Sequence, residues 1–571
     1  MKATTNHHHH RMEKQQKEGG AGPRAALYRL TLVRTPPERV PIDEPFSLFL
    51  SVTEDLGIGV YYGDQPLKIR VEALCCDTNK PLPFAVRCLC AESASSSGQT
   101  KEEDDDGGCA VFEMDPYGGG TASSYGGNCF VQLCFTANVL QHPQQQKKTT
   151  PSTNRKQQKK TKNETAKTTP VKRRASAMVR LRLSVVGHSS LFPLRDREEA
   201  QPQWSQLQSW KNVFAKEEDG DEEKKEAGEE GEANTRFHVL SVTSSPIHVW
   251  MPGEEEETEG ESNSNTKRAR TDNRAQQRKG AKNNNNSTKK KGAATPKRKT
   301  QRLVERHLDC AFFKKEGDKP TTKDICIVEE AQRTSLGSFL ADGGIALASF
   351  LHHVYSPSSR PLQRKCIPEG IPEQAERTSV LELGSGTGLV GMVCSCLGMQ
   401  STTLTDLPEL VDLLRQNIAT NFPLFNAHAD GEKEEEQQGM QVQPLDWADE
   451  HHLSRLLHQR RKNTGRKEGE TEEEEEASFP FNLIVAADVT YSPDCCEALL
   501  RLLQEIQHRW RKHQHQGNAT KGDGERLTCI IGYKQRTDEE ADWFFKQAEE
   551  HFELRCFATP FLHSYIVLLT M

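Results

Sequence analysis

Three glycines at alternate positions, Gly384, Gly386 and Gly388, follow the apolar residues Val380, Leu381 and Leu383 and precede a second apolar run, Leu389–Leu397. The first run has the length of a buried strand and the second that of a helix. A strand that turns into a helix through residues without side chains lets backbone N–H groups come close to a nucleotide-like ligand. The spacing is G-x-G-x-G, not the G-x-G-x-x-G of dinucleotide sites, and no Lys-Ser/Thr follows as in a phosphate-cradling P-loop. Two carboxylates stand at comparable places further along. Asp406 lies just past a strand at Thr402–Leu404, where it could accept hydrogen bonds from both hydroxyls of a ribose or cap the helix from Pro408 onward. Asp488 and Tyr491 follow the apolar strand Phe481–Ala487, which puts them at the carboxyl edge of a sheet; the alternative for Asp488 is to cap the helix that starts near Pro493.

The elements that must position these residues alternate. Leu308–Phe313 and Asp324–Val328 read as a strand pair, and Leu336–Leu351 has helical spacing. After the glycine loop come the strand ending at Asp406 and a helix over Pro408–Asn421. A third strand begins at Val442–Pro444 and leads into Leu445-Asp446-Trp447, followed by a polar, acidic insertion over Asp449–Ser478. Phe481–Ala487 is a strand, Pro493–Trp510 a helix, Leu527–Tyr533 a strand, Glu539–Phe552 a helix and Tyr565–Leu569 a final strand. Strands alternating with helices imply an α/β fold with a parallel sheet covered on both faces. Its ligands bind at the carboxyl ends of the first strands.

The preceding half reads differently. Leu27–Val33, Phe46–Val52, Leu67–Leu74, Cys129–Phe135, Val179–Val186 and Phe237–Trp250 are apolar or alternate with period two, the pattern of half-buried antiparallel strands. This predicts a β-rich, sandwich-like domain over 26–250, after a disordered tail at 1–25, with low-complexity insertions at Glu92–Gly108, Gln141–Lys172 and Lys216–Asn234. The chain has 571 residues, of which 34% are hydrophobic and 27% charged, so part of it lacks the apolar residues to form a core. Residues 251–302 are the clearest case and read as a linker. Their basic clusters, Lys267–Arg270 and Lys289–Lys299, suit nuclear import or nucleic-acid contact, though no aromatic residues interleave with the charges as a structured nucleic-acid surface would want. The N-terminus shows no signal peptide, and no run is long and apolar enough for a membrane span. The 16 cysteines include no C-x-x-C pair, so no metal site is expected. Their scatter fits reduced core thiols in a nuclear or cytoplasmic protein that is not secreted.

The segments Val380–Gln400, Leu404–Asn421, Leu445–Trp447, Val485–Tyr491 and Tyr533–Phe545 together resemble the S-adenosylmethionine-dependent protein-lysine methyltransferases of family 16, the group of methyltransferase-like proteins 21 and 22. The resemblance implies a class I, Rossmann-like, seven-stranded methyltransferase domain over 303–571 that transfers methyl from S-adenosyl-L-methionine to a lysine of a protein substrate. Another acceptor (histidine, arginine or nucleic acid), or a non-catalytic scaffold, are the alternatives. It implies that Gly384, Ser385 and Gly386 pass under the methionine part of the cofactor, that Asp406 takes the ribose, that Trp447 lies beside the adenine, and that Ala487 packs against the cofactor. Asp488 and Tyr491 would be catalytic, the carboxylate capturing and aiming the incoming lysine and the ring walling its channel. In one place the pattern departs. Where the family carries a tryptophan followed by Asp, this chain has Ala341-Asp342, so the aromatic wall over the cofactor is missing. The β-rich half is expected to recruit substrate or a partner and to contribute nothing to the chemistry.

Overall fold

The computed structural model describes residues 25–53, 67–83, 85–89, 109–114, 123–125, 128–140, 176–186, 205–206, 237–251, 303–312, 321–331, 335–355, 368–425, 439–449, 451–463, 479–516, 526–535, 539–561 and 563–571. The basic clusters and the three low-complexity insertions lie outside them.

Among the described residues fifteen strands precede the helix that begins at Asp342: β1 (Ala26–Arg34), β2 (Arg39–Pro41), β3 (Phe46–Thr53), β4 (Leu67–Cys75), β5 (Val86–Cys88), β6 (Ala110–Met114), β7 (Ser123–Tyr125), β8 (Asn128–Phe135), β9 (Ser176–Val185), β10 (Ser205–Gln206), β11 (Phe237–Leu240), β12 (Val242–Thr243), β13 (Ile247–Trp250), β14 (Leu303–Phe312) and β15 (Thr321–Glu330). One sheet runs β11-β1-β3-β8-β5, and a second runs β15-β14-β12-β9-β13-β2 with β4 also on β9. Leu30, Leu48 and Leu50 of the first sheet share one buried cluster with Ile69, Val71, Leu181 and Leu183 of the second. The alternating residues seen in the sequence are the ones that fill it.

The rest is α/β: α1 (Asp342–Tyr355), β16 (Ser379–Leu383), α2 (Leu389–Cys396), β17 (Ser401–Asp406), α3 (Val411–Phe425), β18 (Met440–Pro444), α4 (His452–Asn463), β19 (Leu483–Ala487), α5 (Pro493–Gln516), β20 (Thr528–Lys534), α6 (Glu539–Glu549), β21 (Glu553–Ala558) and β22 (Ser564–Thr570). The sheet order is β10-β21-β22-β20-β19-β16-β17-β18. β16 to β20 are parallel, and β22 enters antiparallel between β20 and β21. The period of two divides each strand between two cores. Val380 and Val485 face the side covered by α1, α2 and α3, while Leu381, Leu383 and Ile484 face the side covered by α4, α5 and α6.

Several expectations change. The insertion expected to be polar over Asp449–Ser478 contains α4, because Leu453, Leu456 and Leu457 recur at helical spacing and are buried. Helix α1 starts at Asp342, since Leu336–Ser338 forms a 3-10 turn instead. β21 was not anticipated, and β10, from the β-rich half, pairs with it across the sheet edge.

The boundary expected at 303 does not coincide with a sheet boundary. β14 pairs with β12, and so the β14–β15 hairpin belongs to the N-terminal sheet. On its other side β15 is an edge strand, and α3 closes that edge. Asn417 accepts from the Val328 N–H at 2.7 Å and donates to its carbonyl at 3.1 Å, and Asn421 does the same for Cys326 at 2.8 and 2.7 Å. Leu27 and Leu240 of the first sheet are buried in the same cluster as Leu347, Phe350 and Leu351 of α1. The two halves therefore share a core.

Candidate active site

A cavity of about 650 Å³ opens at the carboxyl ends of β16, β17, β18 and β19. It sits where the strand order reverses between β16 and β19, the place where open α/β sheets take ligands. Every sequence-predicted site residue lines it: Gly384, Ser385, Gly386, Asp406, Trp447, Ala487, Asp488 and Tyr491. The glycine loop turns with φ of 65° at Gly384 and 53° at Gly386, a region that side chains oppose. A Cβ on Gly384 would lie 3.1 Å from the Trp447 ring, and one on Gly386 would lie 3.2 Å from the Gly337 carbonyl. The loop thus presents backbone to the cavity. Ser385 is turned inward, donating its N–H to the Thr405 carbonyl at 2.9 Å and accepting the Thr405 N–H at 3.1 Å.

Asp406 ties the end of β17 to this loop. Its carboxylate accepts the Gly386 N–H at 2.6 Å and the Leu407 N–H at 2.7 Å. It does not cap α3, which begins five residues later at Val411. Burial holds the Asp406 carboxyl above its usual range, against those two donors. Glu382 was not foreseen. It is 2% exposed, lies on the α1–α2 face of β16 and lines the cavity. Burial pushes its carboxyl up to about 8, against hydrogen bonds from Ser385 and the Gly391 backbone. A charge between Leu381 and Leu383, two residues before Gly384, was the available signal.

Asp488 carries φ of 52°, rare for a residue with a side chain. Its carboxylate turns back onto the protein. It accepts the Gly343 N–H at 2.7 Å and the Lys534 N–H at 3.1 Å. Asp488, expected to be held out to an incoming lysine, lines the cavity and through these two bonds also joins α1 to β20. The physical reason is the left-handed turn, which aims the side chain at the start of α1. The contact there is close: a Cβ on Gly343 would lie 2.6 Å from the Gly532 carbonyl. Tyr491 is 40% exposed at the rim, and burial of the remainder raises its hydroxyl. Glu409, Asp446 and Asp494 also line the cavity, and among the described residues its one Lys or Arg is Lys534. That amine is 3.4 Å from Asp342. Ala341 lies on the cavity wall where the family pattern has tryptophan. Away from the cavity, Glu305, His307 and Cys326 bring ligand-type atoms within 4.8 Å of one another. Arg180 already holds Glu305 at 2.6 Å, the arrangement of an ion pair.

Fold and site define a mostly parallel α/β protein with an acidic, glycine-rimmed cleft at its topological switch point. The sequence comparison is more particular: residues 320–461 match the family model described as lysine methyltransferase. Protein N-lysine methyltransferase METTL21A of Xenopus tropicalis is 45% identical over 60 residues, 10% of this chain and 26% of that protein. Protein-lysine methyltransferase METTL21E of Bos taurus is 36% identical over 122 residues, 21% of this chain and 32% of that protein. The chain spans only about a quarter and a third of these relatives' own length. Among solved structures, human N-acetylserotonin methyltransferase in complex with SAM matches 42% of this chain and 57% of that one, at 12% identity and a TM-score of 0.21. No described helix is long and apolar enough to cross a membrane.

Proposed function

We propose that the α/β half is a class I methyltransferase that moves a methyl group from S-adenosyl-L-methionine to a lysine of a protein substrate. The observation that carries this is the juxtaposition, in one cavity, of the glycine loop, Asp406, Trp447, Asp488 and Tyr491, within and beside the segment matching the lysine methyltransferase family. The residues fit the cofactor: a cavity of about 650 Å³ holds a molecule of that size, and side-chain-free backbone forms its rim. Gly384, Ser385 and Gly386 would hold the methionine part, Asp406 the ribose hydroxyls, Trp447 the adenine and Ala487 the near face. Bound there, S-adenosylmethionine supplies an electrophilic methyl group on a positively charged sulfur.

The chain's own residues do the rest. A lysine attacks only as the free amine, and in water its pKa is about 10.4. Tyr491 and Val489, on the cavity lining, would give the side chain an apolar wall that lowers this by desolvation, and the proton leaves to water. Glu409, Asp446 and Asp494 draw the cationic side chain to the mouth. Asp488 acts as a positioning residue by bracing α1 against β20, so that most of the acceleration comes from holding the amine in line. The β-rich half is a sandwich-like body that completes the core of this enzyme. Radiolabelled methyl transfer into cell extract, followed by mass spectrometry of the labelled protein, tests the reading. Label on lysine is expected. Label on histidine, arginine or nucleic acid overturns the acceptor, and absence of S-adenosylmethionine binding overturns the activity.

A further inference from the structure

Arg29, on β1 of the N-terminal half, is 1% exposed and reaches into the α/β half. Its Nη2 donates to Asp342 Oδ1 at 2.6 Å. Its Nε and Nη1 meet no partner among the described residues, so its charge rests on that carboxylate. A second buried arginine stands beside it. Arg306 of β14 donates from Nε to Glu329 at 2.7 Å and from Nη1 and Nη2 to the Ser241 and Leu30 carbonyls at 3.0 and 3.1 Å. Glu329 accepts the Leu340 N–H at 2.8 Å with its other oxygen. The two carboxylates hold neighbouring positions on one short segment, Leu340–Gly343, of which Leu340 and Ala341 form cavity wall. From the opposite side Asp488 holds the Gly343 N–H.

We infer that Arg29 is a positioning residue of the active site: through Asp342 it clamps the start of α1, and with it the Leu340–Ala341 wall against which the cofactor is held. A buried guanidinium whose partner is displaced is costly, so the pair tolerates one placement of α1. The wall here lacks the family's tryptophan, and its position is set from behind, by the β-rich half. That half is thereby part of the catalytic unit.

This inference rests on the cofactor reading of the cavity, and the test separates the two. In the full-length chain, Arg29→Met removes the charge and keeps the aliphatic stem, while Arg29→Lys keeps the charge and shortens the reach. Two quantities are measured well below the melting temperature: affinity for S-adenosylhomocysteine by calorimetry, and amide hydrogen exchange of a peptide covering 340–346. Arg29→Met should raise Kd about ten-fold at unchanged stoichiometry, the size of other couplings through packed elements, and should speed exchange in 340–346. Arg29→Lys should fall between. A role confined to stability lowers the melting temperature and leaves both readouts of the folded protein at wild-type values, which would overturn the proposal. If Arg29→Met fails to fold, Arg29→Lys decides on the same readouts. A wild-type chain that does not bind S-adenosylhomocysteine defeats the cofactor reading alone, and the exchange measurement still decides the clamp.

Discussion

Glu382→Gln should make this protein more stable at neutral pH and, on the proposed function, a weaker binder of S-adenosylmethionine. The folded carboxyl is pushed up to about 8 from the ordinary 4.5, chiefly by burial. The unfolded chain releases that proton near 4.5, so between the two values the unfolded state holds fewer protons and stability falls as pH rises. The contribution of Glu382 is therefore fully present below pH 4.5 and lost progressively toward pH 8. Each pH unit in that window is worth 1.36 kcal/mol. The wild-type chain is thus weakened by about 3 kcal/mol at pH 7 and about 5 kcal/mol above pH 8, upper bounds because water can relax around a charged site. Glutamine keeps the shape and does not titrate. Urea unfolding followed by near-ultraviolet circular dichroism at pH 4.5, 7 and 8.5 checks this. The two midpoints should coincide at pH 4.5 and separate in favour of Glu382→Gln as pH rises. Parallel profiles across the range would refute the assignment of a neutral buried carboxyl. On the proposed function, a cationic cofactor entering the cavity favours the ionised form, which glutamine cannot supply. Calorimetry at pH 8 should then show weaker S-adenosylmethionine binding by the more stable variant, a trade of function against stability.

Gly386→Arg should abolish S-adenosylmethionine binding, because a long side chain would enter the cavity from a φ that already opposes it; equal calorimetric affinity in the two proteins would remove the loop from the site. Ala341→Trp should tighten cofactor binding by roughly 0.5–1.5 kcal/mol if the ring stacks as other aromatic pairs do, and looser binding would mean that the clamped wall has no room for it. Asp488→Ala leaves two backbone N–H groups without their acceptor, each a loss of about 1–3 kcal/mol; cofactor affinity and transfer should fall together, whereas a loss of transfer alone would restore a direct role for the carboxylate. A fragment of residues 303–571 lacks Leu27, Leu240 and Arg29, and should behave as a loosely packed or aggregating chain by near-ultraviolet circular dichroism. Native-like spectra and melting of that fragment would contradict the shared core.

The glycine spacing, the carboxylates after the strands and the alternation of strands with helices were legible because each is a local pattern. Turn conformation depends on the residue in the turn, and burial leaves a period of two or of 3.6 in a contiguous stretch. For the same reason the residues around the cavity were found by their places after strands. What needed the tertiary structure was everything that joins distant segments. Arg29 and Asp342 are 313 residues apart, and nothing in either neighbourhood marks them as partners. The inward turn of Asp488 follows from the N–H groups of Gly343 and Lys534, which reach it only once α1 and β20 are packed. β14 reads as the first strand of the α/β half by order along the chain, yet it pairs with β12, because strand pairing is decided by which edge is open, not by which segment is next. The raised carboxyl of Glu382 is of the same kind: sequence places a glutamate in a strand, and only the packing of α2 over it removes the water that would have kept it charged.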